Sequence, residues 1–276
     1  MLFGGTELAR RIERAERGFV EDCTAALRAT GSEAFAIPVA GGLAAFSGVD
    51  SPFTKVVGVG FGGAPREEEL AQVEAELGAR GAAVQVELAT LAEAGIAERL
   101  TARGYALAGF ENVLGRRLDR GERWGERAGI TVERSGDGEL ETWLDVVVSA
   151  FAVPDGQGLA SHEDFPRAAL ERVVRGMAGA HGLVRFLARR AGEPAGGASF
   201  RVAEGIAQLC GAGTLSAHRR RGVQGALLER RLAEAARAGC ELAVVTTLPG
   251  SKSQENVQKQ GFELLYARAI LRRAAP

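Results

Sequence analysis

The stretch His218-Arg219-Arg220-Arg221-Gly222-Val223-Gln224-Gly225-Ala226-Leu227-Leu228 decides how this chain is read. An apolar, strand-like segment carrying Ile206, Leu209, Thr214 and Leu215 leads into it. A helix follows at once, with Leu228, Leu232, Ala235 and Ala236 at the i, i+4, i+7, i+8 spacing of one buried face. Gly239 then stands where a C-terminal helix glycine belongs. The first turn of a helix has unpaired N–H groups and a partial positive charge, so strand, Arg/Gly turn and helix together hold anions. Arginines add fixed charge, and a glycine lets the backbone come close to a ligand. Three adjacent arginines at a helix start are unfavourable unless something anionic offsets them, which argues against an idle surface cluster. We read the turn as a cradle for a pyrophosphate.

Arg219-x-x-Gly222 before a helix resembles the acyl-CoA loop, Gln/Arg-x-x-Gly-x-Gly/Ala, of the GCN5-related N-acetyltransferases, the GNAT family. One position departs from that pattern: Gln224 stands where Gly or Ala is usual, although Gly225 and Ala226 keep the next positions small. Downstream, Leu242-Ala-Val-Val-Thr-Thr247 reads as a buried parallel strand, Pro249-Gly250 as a turn and residues 251–260 as a short helix with Ser253 at its N-cap. Gly261-Phe262 then opens a final pair of strands ending at Arg273, an order similar to the family's ending. The likeness covers roughly residues 130–273.

The resemblance implies an N-acetyltransferase that uses acetyl-CoA. Its cofactor-binding residues would be Gly213, Thr214, Leu215, Arg219, Arg220, Arg221, Gly222, Val223, Gln224, Gly225 and Ala226, with Ser253 and Asn256 on the following turn. Direct attack of an amine on a thioester needs a backbone N–H to polarise the carbonyl, expected at residues 213–216, and a base, because a free alkylamine holds its proton with a pKa near ~10. It also uses an acid for the departing thiolate, in the family often a tyrosine four residues before the Gly-Phe. That position is Val257 here, so Tyr266, at the expected hairpin turn, and Ser253 are the candidate catalytic residues. The acceptor side is expected around a loop at 152–165, with Trp143, Phe151, His162 and Glu163 binding the substrate.

The 276 residues suffice for one large domain or two of about 140. Apolar content of 46% with 25% charged residues is ordinary for a globular chain, and a net charge of −1 points to neither nucleic acid nor an anionic membrane. Cys23, Cys210 and Cys240 are scattered, with no CxxC or metal-spaced Cys/His set, which suits a reducing cytoplasm and no bound metal. No signal peptide or membrane-length apolar run is evident.

Upstream, residues 7–29 read as an amphipathic helix, 34–39, 42–46 and 54–61 as strands, and 65–77 as a helix. A strand at 83–88, a helix at 91–103 and a last strand pair to residue 118 follow. The pair after Gly104-Tyr105 parallels the one after Gly261-Phe262, each preceded by strand, helix, strand and short helix. We therefore expect an α/β protein of two GNAT-like units in tandem, each a mixed, mostly antiparallel sheet flanked by helices. Residues 1–119 form one unit and 128–276 the other, in a monomeric internal pseudo-dimer or a homodimer. In the first unit Glu67, Glu68 and Glu69 open the helix and would repel a pyrophosphate, so that unit is expected to lack the cofactor.

Two other readings stay open. A catalytically silent acyl-CoA-binding protein would share the cradle. An NAD(P)-dependent oxidoreductase is suggested by Gly58-Val-Gly60-Phe-Gly62-Gly63, which fits a dinucleotide fingerprint, with Glu87 near the place of a ribose-binding acid. The three glutamates opening the next helix argue against it. The acceptor expected on the leading reading is a small-molecule amine.

Overall fold

The computed structural model describes residues 2–123, 125, 127–153 and 165–275. The chain begins with α1 (Thr6–Ala29), whose Ile12, Ala15, Phe19, Cys23 and Leu27 form one buried stripe at helical spacing. Next come β1 (Phe35–Val39), β2 (Gly42–Phe46) and β3 (Lys55–Val57), then α2 (Glu67–Gly78), β4 (Val84–Ala89), α3 (Ile96–Ala102) and β5 (Ala106–Arg117). The second half runs β6 (Ile130–Arg134), α4 (Leu140–Ala152), α5 (Arg167–Ala178), β7 (Leu183–Arg190), β8 (Glu193–Ala203) and β9 (Ile206–Thr214). It closes with α6 (Val223–Arg237), β10 (Leu242–Thr247), α7 (Lys252–Gln258) and β11 (Glu263–Arg273).

Two-residue turns with both φ angles positive tie the antiparallel neighbours. They are Ala40-Gly41 between β1 and β2, Ala191-Gly192 between β7 and β8, and Glu204-Gly205 between β8 and β9. Their twist matches that of the strands they join. The expected strand over 54–61 is cut to three residues, because Gly58, Gly60 and Gly63 take left-handed angles and fold the chain into turns.

Among the described residues, eleven strands form one sheet in the order β1-β2-β3-β4-β11-β5-β10-β9-β8-β7-β6. The centre of that order differs from two units standing side by side. The C-terminal strand β11 lies between β4 and β5 and pairs antiparallel with both, while β5, from the first half, pairs antiparallel with β10 of the second. Each half therefore completes its sheet with the other's last strand.

The strand pairs expected at 105–118 and 262–273 are a single long strand each. Glu-Leu-Leu-Tyr-Ala-Arg-Ala-Ile-Leu-Arg-Arg (263–273) contains no Gly, Pro, Asn or Asp to reverse the chain, and irregular register at Leu264/Tyr266 takes up the bend instead. Helices α6 and α7 cover one face of the second half, through Leu227, Leu228, Leu232 and Val257 against Phe186, Phe200 and Leu114. α4 and α5 cover the other face, where α1 also lies, packed on α5 and on the middle strands.

Candidate active site

β9 and β10 are parallel and hydrogen-bonded neighbours, but only over Ile206/Leu242, Ala207/Ala243 and Gln208/Val244. Beyond Gln208 they part, while β9 stays paired with β8 as far as Thr214 through a register shift around Gly211, whose φ is 56°. A turn of 3-10 helix at Ser216–His218 and the bend Arg219-Arg220 carry the chain from the open end of β9 to α6. Gly222 is the N-cap of α6 at φ 84°, a left-handed conformation that glycine adopts without a Cβ penalty. Ala226 N donates to Gly222 O at 3.0 Å, so the amides of Val223, Gln224 and Gly225 precede the intrahelical ladder and face outward from its positive end. Arg220, Arg221 and Gly222 are exposed around them.

The neighbouring predicted residues divide by what they touch. Arg219 is a staple rather than an outstretched cation: it donates to Thr214 O and Ala150 O, each at 3.3 Å, and to Val153 O, tying the end of α4 to the turn. Leu215 N–H is already given to Ala195 O at 3.0 Å, so that amide is not available to a thioester carbonyl. Gly213 lies beyond the last β9–β10 pair, and a Cβ there would sit 2.5 Å from Ala150 Cβ. Thr214 Oγ1 reaches the Gln224 side-chain oxygen at 3.4 Å, which draws that long side chain back toward β9. Val223 and Ala226 turn their side chains into the core, leaving backbone alone for a ligand.

Gly225 has a different reason to be small from the one expected. A Cβ on it would lie 3.0 Å from Nη2 of Arg127, which lies across this turn and pairs with Glu229. Arg127 is not evident from the sequence as a site neighbour, because it falls between the two expected units, 1–119 and 128–276. On the following turn the N-cap is Ser251, not Ser253: Ser251 Oγ accepts from Gln254 N at 3.2 Å. Ser253 is exposed on the first turn of α7 and Asn256 is half-buried.

On the acceptor side, Trp143 is corrected. It is fully buried and its indole N–H donates to Ala198 O at 3.2 Å, as a core residue of the α4–sheet interface. Phe151 is exposed. His162 and Glu163 lie outside the described residues. Tyr266 lies within β11 and not at a hairpin turn; it is buried, and its hydroxyl donates to Glu13 Oε1 at 2.7 Å. Burial and the facing Glu13 raise its pKa, so its proton is firmly held.

That contact belongs to a buried ionic network under α1. Arg268 Nε meets Glu13 Oε1 at 2.8 Å, and its Nη1 lies 3.4 Å from Glu87 and 3.6 Å from Glu111. Lys55 Nζ bridges Glu87 at 2.9 Å and Glu16 at 3.5 Å, and Gln208 Nε2 donates to the other oxygen of Glu16. One signal in the sequence pointed here: Glu13 and Glu16 flank the apolar stripe of α1, where charged residues are unusual unless paired. Burial opposes the charge of Glu16, but Lys55, Arg268 and Gln208 together hold its carboxyl below the usual range. Glu13 is pushed up by burial, with Arg268 opposing. Glu111 is pushed up to about 8 by burial and by Glu87, against Lys55 and Arg268.

The Glu111 shift sets a pH dependence. Between about pH 4.5 and about 8 the folded carboxyl keeps a proton that the unfolded chain releases, so stability falls as pH rises through that window and levels off above it. Glu111→Gln is expected to flatten this slope and to stabilise the fold at pH 8 by on the order of 2 kcal/mol, discounted for solvent screening. Its side chain retains 27% exposure, which is the reason for the discount. Urea unfolding at pH 5 and pH 8 checks it; an unchanged slope in the variant would assign the pH dependence to other groups.

The dinucleotide reading does not fit this geometry. β3 and β4, on either side of the glycine turn and α2, are parallel at the single pair Val56/Val86, but the strands flanking them, β2 and β11, are both antiparallel to them, so the turn does not sit in a parallel wound sheet. Glu87 is buried on Lys55 and Arg268, and the space beside Gly60 is filled by Ala92 and Ile96.

A family model described as an acetyltransferase (GNAT) domain matches residues 114–251. A search of curated protein sequences finds no match. Among solved structures, a GCN5-related N-acetyltransferase from Kribbella flavida is similar over 96% of this chain and 95% of its own, at 18% identity and a TM-score of 0.67. A tandem GNAT protein from the clavulanic acid biosynthesis pathway is similar over 85% of this chain and 78% of its own, at 14% identity and a TM-score of 0.60. A GCN5-related N-acetyltransferase from Sphaerobacter thermophilus covers 70% of this chain and 60% of its own, at 16% identity and a TM-score of 0.54. At these identities the structural likeness carries the fold: mixed α/β, with two GNAT-like units in one sheet. With the family model spanning half of its length, the chain belongs to the GNAT acetyltransferase family.

Proposed function

We propose that the protein transfers an acetyl group from acetyl-CoA to the amine of a small molecule, with the cofactor held in the C-terminal half. The observation that carries this is the parting of β9 from β10 beside the Gly222-capped start of α6. The residues fit such a group. The amides of Val223, Gln224 and Gly225 offer donors to a pyrophosphate, and Arg220 and Arg221 add positive charge around them. Two buried polar atoms, His218 Nδ1 on the turn after β9 and Thr247 Oγ1 at the end of β10, have no hydrogen-bond partner among the described residues, as expected where a polar ligand arm completes them. When bound, acetyl-CoA supplies an activated acyl carbon and a thiolate leaving group.

The N-terminal half is proposed to lack a cofactor. In α2 the first turn carries Glu67, Glu68 and Glu69, and Glu69 already accepts the Arg66 N–H at 2.8 Å, so its own carboxylates satisfy the positive end of that helix.

Calorimetric titration of the full chain with CoA tests the reading, together with mass spectrometry of amines incubated with acetyl-CoA. Binding without any N-acetylated product would favour a silent binding protein. Gly222→Val places a β-branched residue at φ 84°, where the added Cβ lies 3.2 Å from Arg127 Nη1. It is expected to weaken CoA at least about tenfold and to cost about 1–3 kcal/mol of stability from backbone strain. Unaltered CoA affinity in a folded variant would remove the cradle from the proposal.

A further inference from the structure

Between α1 and the parting strands lies a cavity of about 190 Å³, on the face of the sheet away from α6. Its size is that of about six water molecules, enough for a small head group and too small for a bulky one. Ile12 and Phe19 of α1 and Val244 of β10 make its apolar walls, and it reaches the splay at Thr246. Its polar end is Glu16 and Gln208. Gln208 is more than nine-tenths buried, gives its amide N–H to Glu16, and leaves Oε1 with no donor among the described residues. A buried carbonyl oxygen without a donor is costly unless a ligand completes it.

The charge balance points the same way. Glu111 holds its proton at neutral pH, which leaves Glu13, Glu16 and Glu87 opposite Lys55 and Arg268, three carboxyls against two cations among the described residues of the network. Arg268 also borders the cavity, but its guanidinium is engaged by Glu13 and Glu87. At the cavity end there are thus two acceptors, one of them charged, and apolar walls along the approach. The chemistry that satisfies both is an alkyl chain ending in several N–H donors and a positive charge.

We propose that this cavity is the acceptor pocket, and that it admits a primary alkylammonium group held between the Glu16 carboxylate and Gln208 Oε1. The stem lies against Ile12, Phe19 and Val244. Its designation as an acceptor pocket rests on the acetyltransferase reading; its selectivity for the ammonium does not. The N-terminal half, through α1, therefore supplies substrate recognition to a cofactor site built by the C-terminal half.

The probe is n-butylammonium, with 1-pentanol and butyrate as neutral and anionic counterparts, titrated into the full chain without CoA and followed by calorimetry and ligand-observed NMR. Millimolar binding of n-butylammonium, at least about tenfold tighter than either counterpart, is expected for so small a ligand. Glu16→Gln is expected to lose at least about tenfold in that affinity while CoA affinity stays within about twofold of wild type. Should Glu16→Gln fail to fold, Gln208→Met, which removes the unpaired oxygen at similar volume, is expected to weaken the ammonium several-fold. Nα-acetyl-lysine amide in a parallel arm separates a lysine side chain from a free alkylamine; binding of either one with the same dependence on Glu16 supports the site. Equal binding of n-butylammonium and 1-pentanol, or undiminished ammonium affinity in the folded variants, overturns the proposal. Loss of CoA binding in the wild type with ammonium selectivity intact would instead overturn the acetyltransferase reading and leave the site.

Discussion

Residues 128–276 expressed alone are expected to yield no cooperatively folding, CoA-binding protein, although they hold the proposed cofactor-binding residues from Gly213 to Ala226. The reason is the exchange of strands at the centre of the sheet. β10 is hydrogen-bonded along its outer edge to β5, from Leu242/Arg117 to Thr247/Asn112. Removing β5 leaves that edge open beside the splay, where the other edge is already unpaired beyond Val244. An exposed apolar edge is a template for aggregation. Leu114, fully buried in the core beneath α6, leaves with β5; losing a buried leucine from a packed core costs about 2–5 kcal/mol before the ladder is counted. β11 fares worse, since both of its neighbours, β4 and β5, come from residues absent in the fragment. Against a typical total of roughly 5–15 kcal/mol these losses are decisive. Co-expression of 1–119 with 128–276 is expected to restore a soluble complex, because each piece carries the strand the other needs. A monomeric 128–276 with a sharp thermal transition and full CoA affinity would show that the exchange is dispensable.

The features legible in the sequence were those encoded locally. The turns Ala191-Gly192 and Glu204-Gly205 announce the β7–β8–β9 meander by their residue types, and the helix after Gly222 announces itself by periodicity and its glycine. The matching order of elements in the two halves was also visible. Their exchange of last strands was not, because a strand of eleven residues carries no local mark of which neighbours it will choose, and residues 84–89 and 242–247 offer equally apolar edges.

The strand, turn and helix around Gly222 are legible in the sequence, but the contacts within the turn depend on side-chain direction. Arg219 bends back onto carbonyls of α4, and Gly225 makes room for a linker arginine. Trp143 is expected on the acceptor side from the family resemblance, yet its spacing with Leu144, Val147 and Val148 already places it on the buried face. The network of Glu13, Lys55, Glu87, Glu111 and Arg268 draws on five separate elements, and no spacing within one segment predicts it.

Arg268→Met is expected to cost about 3–5 kcal/mol, the range for breaking a buried ion pair from one side. The guanidinium is 2% exposed and stands among Glu13, Glu87 and Glu111. Of these, Glu87 keeps Lys55 as a partner and Glu111 is already held near neutrality, so the loss falls mainly on Glu13. With Arg268 gone Glu13 retains the Tyr266 hydroxyl as its donor, one neutral hydrogen bond for a charge that burial already disfavours. It answers by taking up a proton, so its folded pKa rises further above the unfolded value. Stability supplied by such a group is present below the unfolded pKa and is lost as pH climbs through the folded one. The variant is therefore expected to lose more at pH 8 than at pH 5, a difference on the order of 1–2 kcal/mol. Adding Glu13→Gln removes the charge that was stranded and is expected to return about 1–2 kcal/mol at pH 8 and little at pH 5, a non-additivity confined to residues in direct contact. Urea melts of both variants at the two pH values decide the matter: strictly additive losses, independent of pH, would mean that Arg268 stabilises the sheet by packing alone and that the carboxylates beneath α1 do not depend on it.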